Sequence, residues 1–193
     1  MEHKLADTTI EIHALLASRW SPRAFNAHKE LSQAQLTALL EAARWAPSCF
    51  NDQPWRFIVC NKHENEAAWN DMLGCLAEKN QLWAKRAPVL IATCAHSQFQ
   101  HNGNPNRWAE YDTGAAAMSL CLQANAMGLA THQMGGFDSN VIKQKFSIPE
   151  QVQPMAVIAI GYAGTEEDLD PAFIEAEKAP RNRHELDYVI LNK

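Results

Sequence analysis

Apolar positions along this chain follow two rhythms. One has helical spacing. Ile12, Leu15, Leu16 and Arg19 stand at i, i+3, i+4 and i+7, which predicts a first helix capped by Asp7 or Thr8 and ended before Pro22, with Arg19 delivered at its end. Ser32 and Gln35 form a capping-box pattern ahead of Leu36, Leu39, Leu40 and Ala43, a stripe that Pro47 ends. Trp69, Met72, Leu73 and Leu76 repeat the spacing. A long helix is predicted over 115–127, with Gly128 placed to end it, and Asp138 can cap a helix over "SNVIKQKF". The other rhythm belongs to strands. "RFIVCN" reads as one, and the apolar run "APVLIATCA" as a strand buried on both faces. "THQMGGFD" predicts a short strand and a turn, "PMAVIAIGY" the clearest strand, and "YVILNK" a last strand. "QFQHNGNPNRW" and the basic "KAPRNRHEL" are loops by composition. Helices and strands are interspersed with no βαβ rhythm, repeat or linker, so the expectation is one α+β domain spanning 1–193.

Composition narrows the class. Hydrophobic residues make up 47% and charged residues 20%, which fits a folded core rather than disorder. A net charge of -5 and a pI near 5.9 give no general pull toward nucleic acid or an anionic membrane, although clustered arginines can still hold a small anion. The most apolar helical stretch, 114–130, contains Gln123 and Asn125 and is short for a membrane span; a helix buried on most sides fits it better. The opening "MEHKLADTTIEIHALL" lacks the apolar core of a signal peptide. Five scattered cysteines, Cys49, Cys60, Cys75, Cys94 and Cys121, never pair as C-x-x-C, and they read as reduced thiols of a cytoplasmic protein.

Several chemistries lack their signatures. Neither the Rossmann glycine pattern nor a P-loop occurs, and "DTGAAAMSL" holds no nucleophile elbow. His96 and His101 have no metal-ligand partner at useful spacing, so no metal is expected. Cys49 is expected at a helix C-terminus, where the helix dipole does not favour a thiolate. Other features are left over. Arg19 and Arg23 bracket "RWSPR", Arg181 and Arg183 form "RNR", and "QMGGF" lets backbone N–H groups approach a flat ligand. "APSCFNDQPW" at 46–55 is long for a connection and dense in short hydrogen-bonding side chains. A ligand with a phosphate, a polyol and a planar heteroaromatic ring would use all of these features.

These blocks resemble the FMN-dependent nitroreductases: "RWSPRAF", "PSCFNDQPW", "DTGAAAMSL", "HQMGGFD", "PMAVIAIGY" and "APRNR" occur in that family's order across nearly the whole chain. The resemblance implies a nitroreductase-like fold, with a five-stranded, mainly antiparallel sheet wrapped by helices. It also implies an intertwined homodimer holding FMN at its interface, in which "YVILNK" joins the partner's sheet. Arg19 would meet the phosphate and Ser21 the ribityl chain or ring edge, while Arg23 would lie by flavin N1 and the C2 carbonyl. Pro47, Ser48, Cys49 and Asn51 would reach the partner's flavin. Met134, Gly135 and Gly136 would bring N–H groups near N5, and Arg181 and Arg183 would complete the phosphate site. Trp20, Gln53 and Gln133 complete the implied cofactor-binding set. No catalytic side chain is implied, because flavin N5 carries the hydride. NAD(P)H would reduce FMN, and a small organic acceptor such as a nitro compound or quinone would then be reduced in the same pocket. Cys49 stands where a second Ser is common in the family, and Gly135 where members specialised for nitroaromatics often carry an acidic residue. A related flavin enzyme, catalysing dehalogenation or flavin fragmentation, and a non-enzymatic FMN-binding protein are the alternatives.

Overall fold

The strands that carry this fold are apolar on both faces, and the computed structural model, which describes residues 4–192, shows why. The elements run, in chain order, α1 (Ala14–Ser18), α2 (Gln33–Arg44), β1 (Trp55–Asn61), α3 (Glu66–Gly74), α4 (Glu78–Ala84) and β2 (Val89–His96). They continue with α5 (Ala109–Ala126), β3 (Ala130–Met134), α6 (Ser139–Lys145), β4 (Val152–Gly161), α7 (Ile174–Lys178) and α8 (Leu186–Val189). The strands form one antiparallel sheet in the order β1-β2-β4-β3.

Helices cover both faces of the sheet. Leu90, Ala92, Cys94, Val157 and Ala159 point to one side, where Trp69 and Met72 of α3, Trp83 of α4 and Ile142 of α6 pack on them. Val89, Ile91, Ile158 and Ile160 point to the other, against Leu36 and Leu39 of α2 and Leu120 and Cys121 of α5. The alternation of odd and even positions between the two cores is the period-2 geometry of a strand. It explains the unbroken apolar run "VLIATCA" in an antiparallel sheet, because neither face meets water.

Local signals hold where they were expected. Ser32 and Gln35 form the capping box of α2, and the Asp138 carboxylate accepts the Asn140 and Val141 N–H groups at the start of α6. Gly128, at φ +71, turns the chain out of α5 in a conformation that other residues adopt only with strain.

Three expectations need correction. The first helix begins at Ala14, with His13 rather than Asp7 or Thr8 as its cap. The chain before it makes other bonds: Ala6 N–H donates to the Ala17 carbonyl, and the Lys4 carbonyl accepts from Arg181. Second, α3 stops at Gly74, and a separate helix, α4, follows that the spacing through Leu76 did not reveal. Third, the sheet has four strands among the described residues, not five. In "YVILNK", Tyr188 and Val189 belong to the helical turn α8, Ile190 is extended, and Lys193 lies outside the described residues. Among the described residues the tail pairs with neither outer strand, β1 nor β3. Along 114–130 most positions of the long helix are buried or half-buried, as expected, with Met118 36% exposed; Tyr111, ahead of that stretch, is 76% exposed.

Candidate functional site

Two stretches of chain far apart in sequence bring arginines to one place. Arg19 caps the end of α1, Arg23 follows on the segment after Pro22, and Arg181 and Arg183 follow α7. With Lys4, Trp20, Ser21 and Asn182 they line a cavity of about 290 Å³ that has no acidic residue in its wall. Arg19 donates toward Ser21 Oγ at 3.4 Å. Arg181 is the keystone: its Nη1 donates to the carbonyls of Lys4 and Ala17, at 2.7 and 2.6 Å, and so ties the chain's two ends together. Burial, and then the charges of Arg19 and Arg183, lower the Arg181 pKa from its usual value. Arg19, Arg181 and Arg183, held close together with no carboxylate partner among the described residues, lack their counter-ion, and an oxyanion such as a phosphate supplies it.

Arg23 differs from the others. Its Nη1 lies 3.9 Å from Glu177 Oε2, and its guanidinium sits over the Phe173 ring at 5.6 Å. The segment around it is also held from β3, where His132 Nδ1 meets the Pro22 carbonyl at 3.0 Å. A carbonyl only accepts, so Nδ1 carries the proton. The His132 ring packs on Trp83 at 4.4 Å. Burial, followed by the charges of Arg23 and Arg19, outweighs the hydrogen bonds to the Pro22 and Ser21 backbone and brings its pKa down to about 4.

The loop at 46–53 is strained and anchored. Phe50, Asn51 and Gln53 have φ of 54°, 56° and 51°, a region that costs a residue with a side chain about 1–3 kcal/mol. Cys49 opens a single 3-10 turn, Cys49–Asn51, rather than ending a helix, and its N–H donates to buried Asp112 on α5 at 3.0 Å. Ser48 Oγ accepts the Gln53 N–H at 3.0 Å. Buried Asp52 accepts the Gln100 N–H and the Asn106 side-chain amide, which fixes the loop to the 98–106 segment. Phe50 projects outward, 81% exposed, with its ring edge-on to Phe99 and His101. Pro47, Ser48, Cys49, Asn51 and Gln53 line no part of the arginine cavity.

At the glycine turn, Gly135 and Gly136 line a separate, open cavity with Cys75, Leu76 and Asp138. The Gly136 carbonyl accepts from the Ala77 N–H and from Asn80 Nδ2, and a Cβ there would come within 2.9 Å of Asn80 Nδ2. Met134 is buried, and the Gln133 amide donates to Cys121 Sγ at 3.4 Å. Burial pushes the Cys60 and Cys94 thiols up to about 11, which leaves them protonated and unreactive.

The structure therefore unites Arg19, Trp20, Ser21, Arg23, Arg181 and Arg183, and it leaves the 47–53 loop and the 133–136 turn apart from that cluster. Sequence reading missed Asp52, Asp112, His132 and Glu177. Each binds main-chain groups distant in sequence, and no local pattern marks that role.

The chain is similar to several known proteins. A family model described as "Nitroreductase family" matches residues 16–162. A protein of Methanothermobacter thermautotrophicus named "Putative NADH dehydrogenase/NAD(P)H nitroreductase" is 32% identical over 160 residues, covering 78% of each chain. A crystal structure of an oxidoreductase containing FMN superposes with a TM-score of 0.89 at 33% identity, over 96% of this chain and 93% of that one. A nitroreductase family protein from Clostridium difficile superposes at 0.70 with 25% identity, over 93% of this chain and 96% of the other.

Proposed function

The chain belongs to the nitroreductase family, and we propose that it is an FMN-dependent oxidoreductase that passes electrons from NAD(P)H to a small organic acceptor, such as a nitro compound or a quinone. The observation that carries this reading is the cation-lined cavity built by Arg19, Arg181 and Arg183 with no carboxylate in its wall. It fits the FMN phosphate, and Ser21 and Asn182 beside it suit the ribityl hydroxyls. Bound FMN supplies the redox chemistry, taking up a hydride and giving it on.

The protein's residues have separate tasks. Arg19, Arg181 and Arg183 neutralise the phosphate dianion. Arg23 presents a fixed positive charge to the N1 and C2 edge of the ring, where negative charge collects on reduction. The turn at Met134, Gly135 and Gly136 offers backbone N–H groups to the N5 edge, with the Gly136 carbonyl tied back to α4. Pro47, Ser48, Cys49, Asn51 and Gln53 form the wall of a flavin site in a second copy of the chain.

The homodimer reading is supported by apolar surface. Trp108, Tyr111 and Met118 along α5 are exposed, as is Phe50 on the loop hung from that helix; Leu186, Tyr188, Val189 and Leu191 in the tail are exposed too. Such surface favours burial against a partner. One FMN-binding domain over 1–193, working in the cytoplasm, accords with the thiols, all five of which are free. No helix among the described residues is long and apolar enough to cross a membrane.

The test is the visible spectrum of the purified protein before and after anaerobic NAD(P)H. A flavin spectrum that bleaches within seconds and recovers on adding a nitroaromatic or quinone is expected. A protein that stays colourless after incubation with FMN overturns the reading.

A further inference from the structure

We infer that Glu177 positions Arg23 and moderates its charge, an inference that rests on Arg23 being the cation that faces the flavin ring. Glu177 sits on α7 and is 3% exposed. Its Oε1 accepts two main-chain N–H groups, from Arg23 at 2.8 Å and from Ala24 at 3.2 Å. Its Oε2 accepts no hydrogen bond and lies 3.9 Å from Arg23 Nη1. Phe173, the residue that caps the start of α7, carries the guanidinium over its ring at 5.6 Å.

The hold on this segment is two-sided. His132 binds the Pro22 carbonyl, and Glu177 binds the Arg23 N–H. Those two groups belong to a single peptide unit, so it is gripped at both ends and its plane cannot rotate. Arg23 thus leaves the backbone in one direction.

The carboxylate also separates Arg23 electrically from its neighbours. Among the cations lining the arginine cavity, ion pairing with a carboxylate is described for Arg23 and for none of Lys4, Arg19, Arg181 or Arg183. The unpaired cations suit a phosphate, which is charged throughout. A ring whose charge appears only on reduction is better matched by a cation already partly compensated. A buried carboxylate is costly unless it is paired and hydrogen-bonded, and with Oε2 lacking a hydrogen bond Glu177 depends on Arg23 for its charge balance. The other charged residues around its cavity are Lys4, Asp7, Glu166, Lys178 and Arg181; Lys178 pairs with Glu166 at 2.8 Å, and Arg181 is bonded to carbonyls.

Redox titration of the FMN-loaded protein tests the inference in wild type, Glu177→Gln, Arg23→Ala and the double variant. The amide that replaces the carboxylate in Glu177→Gln keeps an acceptor for both N–H groups and removes the charge. Glu177→Gln should keep its FMN and favour reduced over oxidised flavin by about threefold to tenfold, a rise of ~15–30 mV for a two-electron couple. In the Arg23→Ala background the same change should do nothing. An unchanged or lowered potential in Glu177→Gln, or an equal shift without Arg23, overturns the inference while the reading of Arg23 stands, provided that Arg23→Ala alone lowers the potential. If Arg23→Ala leaves the potential of bound FMN unchanged, the reading of Arg23 fails and the inference falls with it. Amide hydrogen exchange on the unaltered chain gives a check that needs no variant to fold. The Arg23 and Ala24 N–H groups should exchange about a hundredfold slower than in an unstructured peptide. Free exchange at Arg23 overturns the placement.

Discussion

The Asp112 carboxylate, buried on α5, accepts the main-chain N–H of Cys49 at 3.0 Å, and so a helix at the centre of one core carries the most strained loop of the chain. The left-handed residues Phe50, Asn51 and Gln53 lie just beyond this bond. Asp112→Ala should cost about 1–3 kcal/mol of stability, the scale of a donor left without its partner. FMN affinity should fall with it, because the loop loses its anchor. Asp112→Asn keeps an acceptor oxygen and should recover most of the loss. Urea unfolding and flavin fluorescence titration check both, and a fully stable Asp112→Ala variant would sink the idea that this bond holds the loop.

Arg181 and Arg183 share a cavity and differ in task. Among the described residues Arg183 Nη1 bonds only the adjacent Asn182 carbonyl, whereas Arg181 binds Lys4 and Ala17 across the fold. Arg183→Ala should weaken FMN binding by ~1.5–3 kcal/mol, as for a lost charge-assisted hydrogen bond, and should leave riboflavin, which has no phosphate, almost unaffected. Arg181→Ala should lower the melting temperature as well. Isothermal titration with both ligands decides the first point; equal losses for FMN and riboflavin would show that Arg183 is not at the phosphate.

His132 gives the fold a pH dependence with a definite sign. Its folded pKa of about 4 lies below the ordinary value of 6.5, so the unfolded chain binds the extra proton in between. Stability from this residue is therefore complete above pH 6.5 and lost as pH falls toward 4. The full loss is of the order of 3 kcal/mol. His132→Gln, which can still donate to the Pro22 carbonyl, should flatten the fall of melting temperature between those limits relative to wild type. Parallel thermal scans across that pH interval measure it; identical slopes would mean that the imidazole is not buried as placed.

The tail prediction concerns a segment whose structure depends on a neighbour. Leu191 is 98% exposed and Tyr188 70%, an arrangement that water penalises. Deleting the residues from Tyr188 onward should cost both dimerisation and flavin binding. Light scattering and the absorbance ratio of flavin to protein report the two losses; a truncated chain that remains a fully flavin-loaded dimer would rule out the role.

What could be read along the chain was what neighbours in sequence decide. The Ser32 and Gln35 capping box, the Asp138 cap, the Gly128 stop and the unbroken apolar run of β2 all rest on contacts within a few residues, or on whether each face is dry, and each appears as expected. The arginine motifs announced their chemistry by residue type. Only the family resemblance gave reason to expect that they meet; the meeting itself is tertiary, since Arg181 reaches Lys4 across 177 positions. Asp52, Asp112, His132 and Glu177 stayed hidden for the same reason: a buried polar side chain that satisfies a distant main-chain group has no spacing of its own to betray it. The separate helix α4 is held by the burial of Trp83 and Ala84 against the sheet rather than by a recognisable start signal. The apolar composition of "YVILNK" was plain in the sequence, but a strand also requires an open edge with matching hydrogen-bond groups. Among the described residues the tail pairs with neither outer strand, and its Tyr188 and Val189 lie in the helical turn α8.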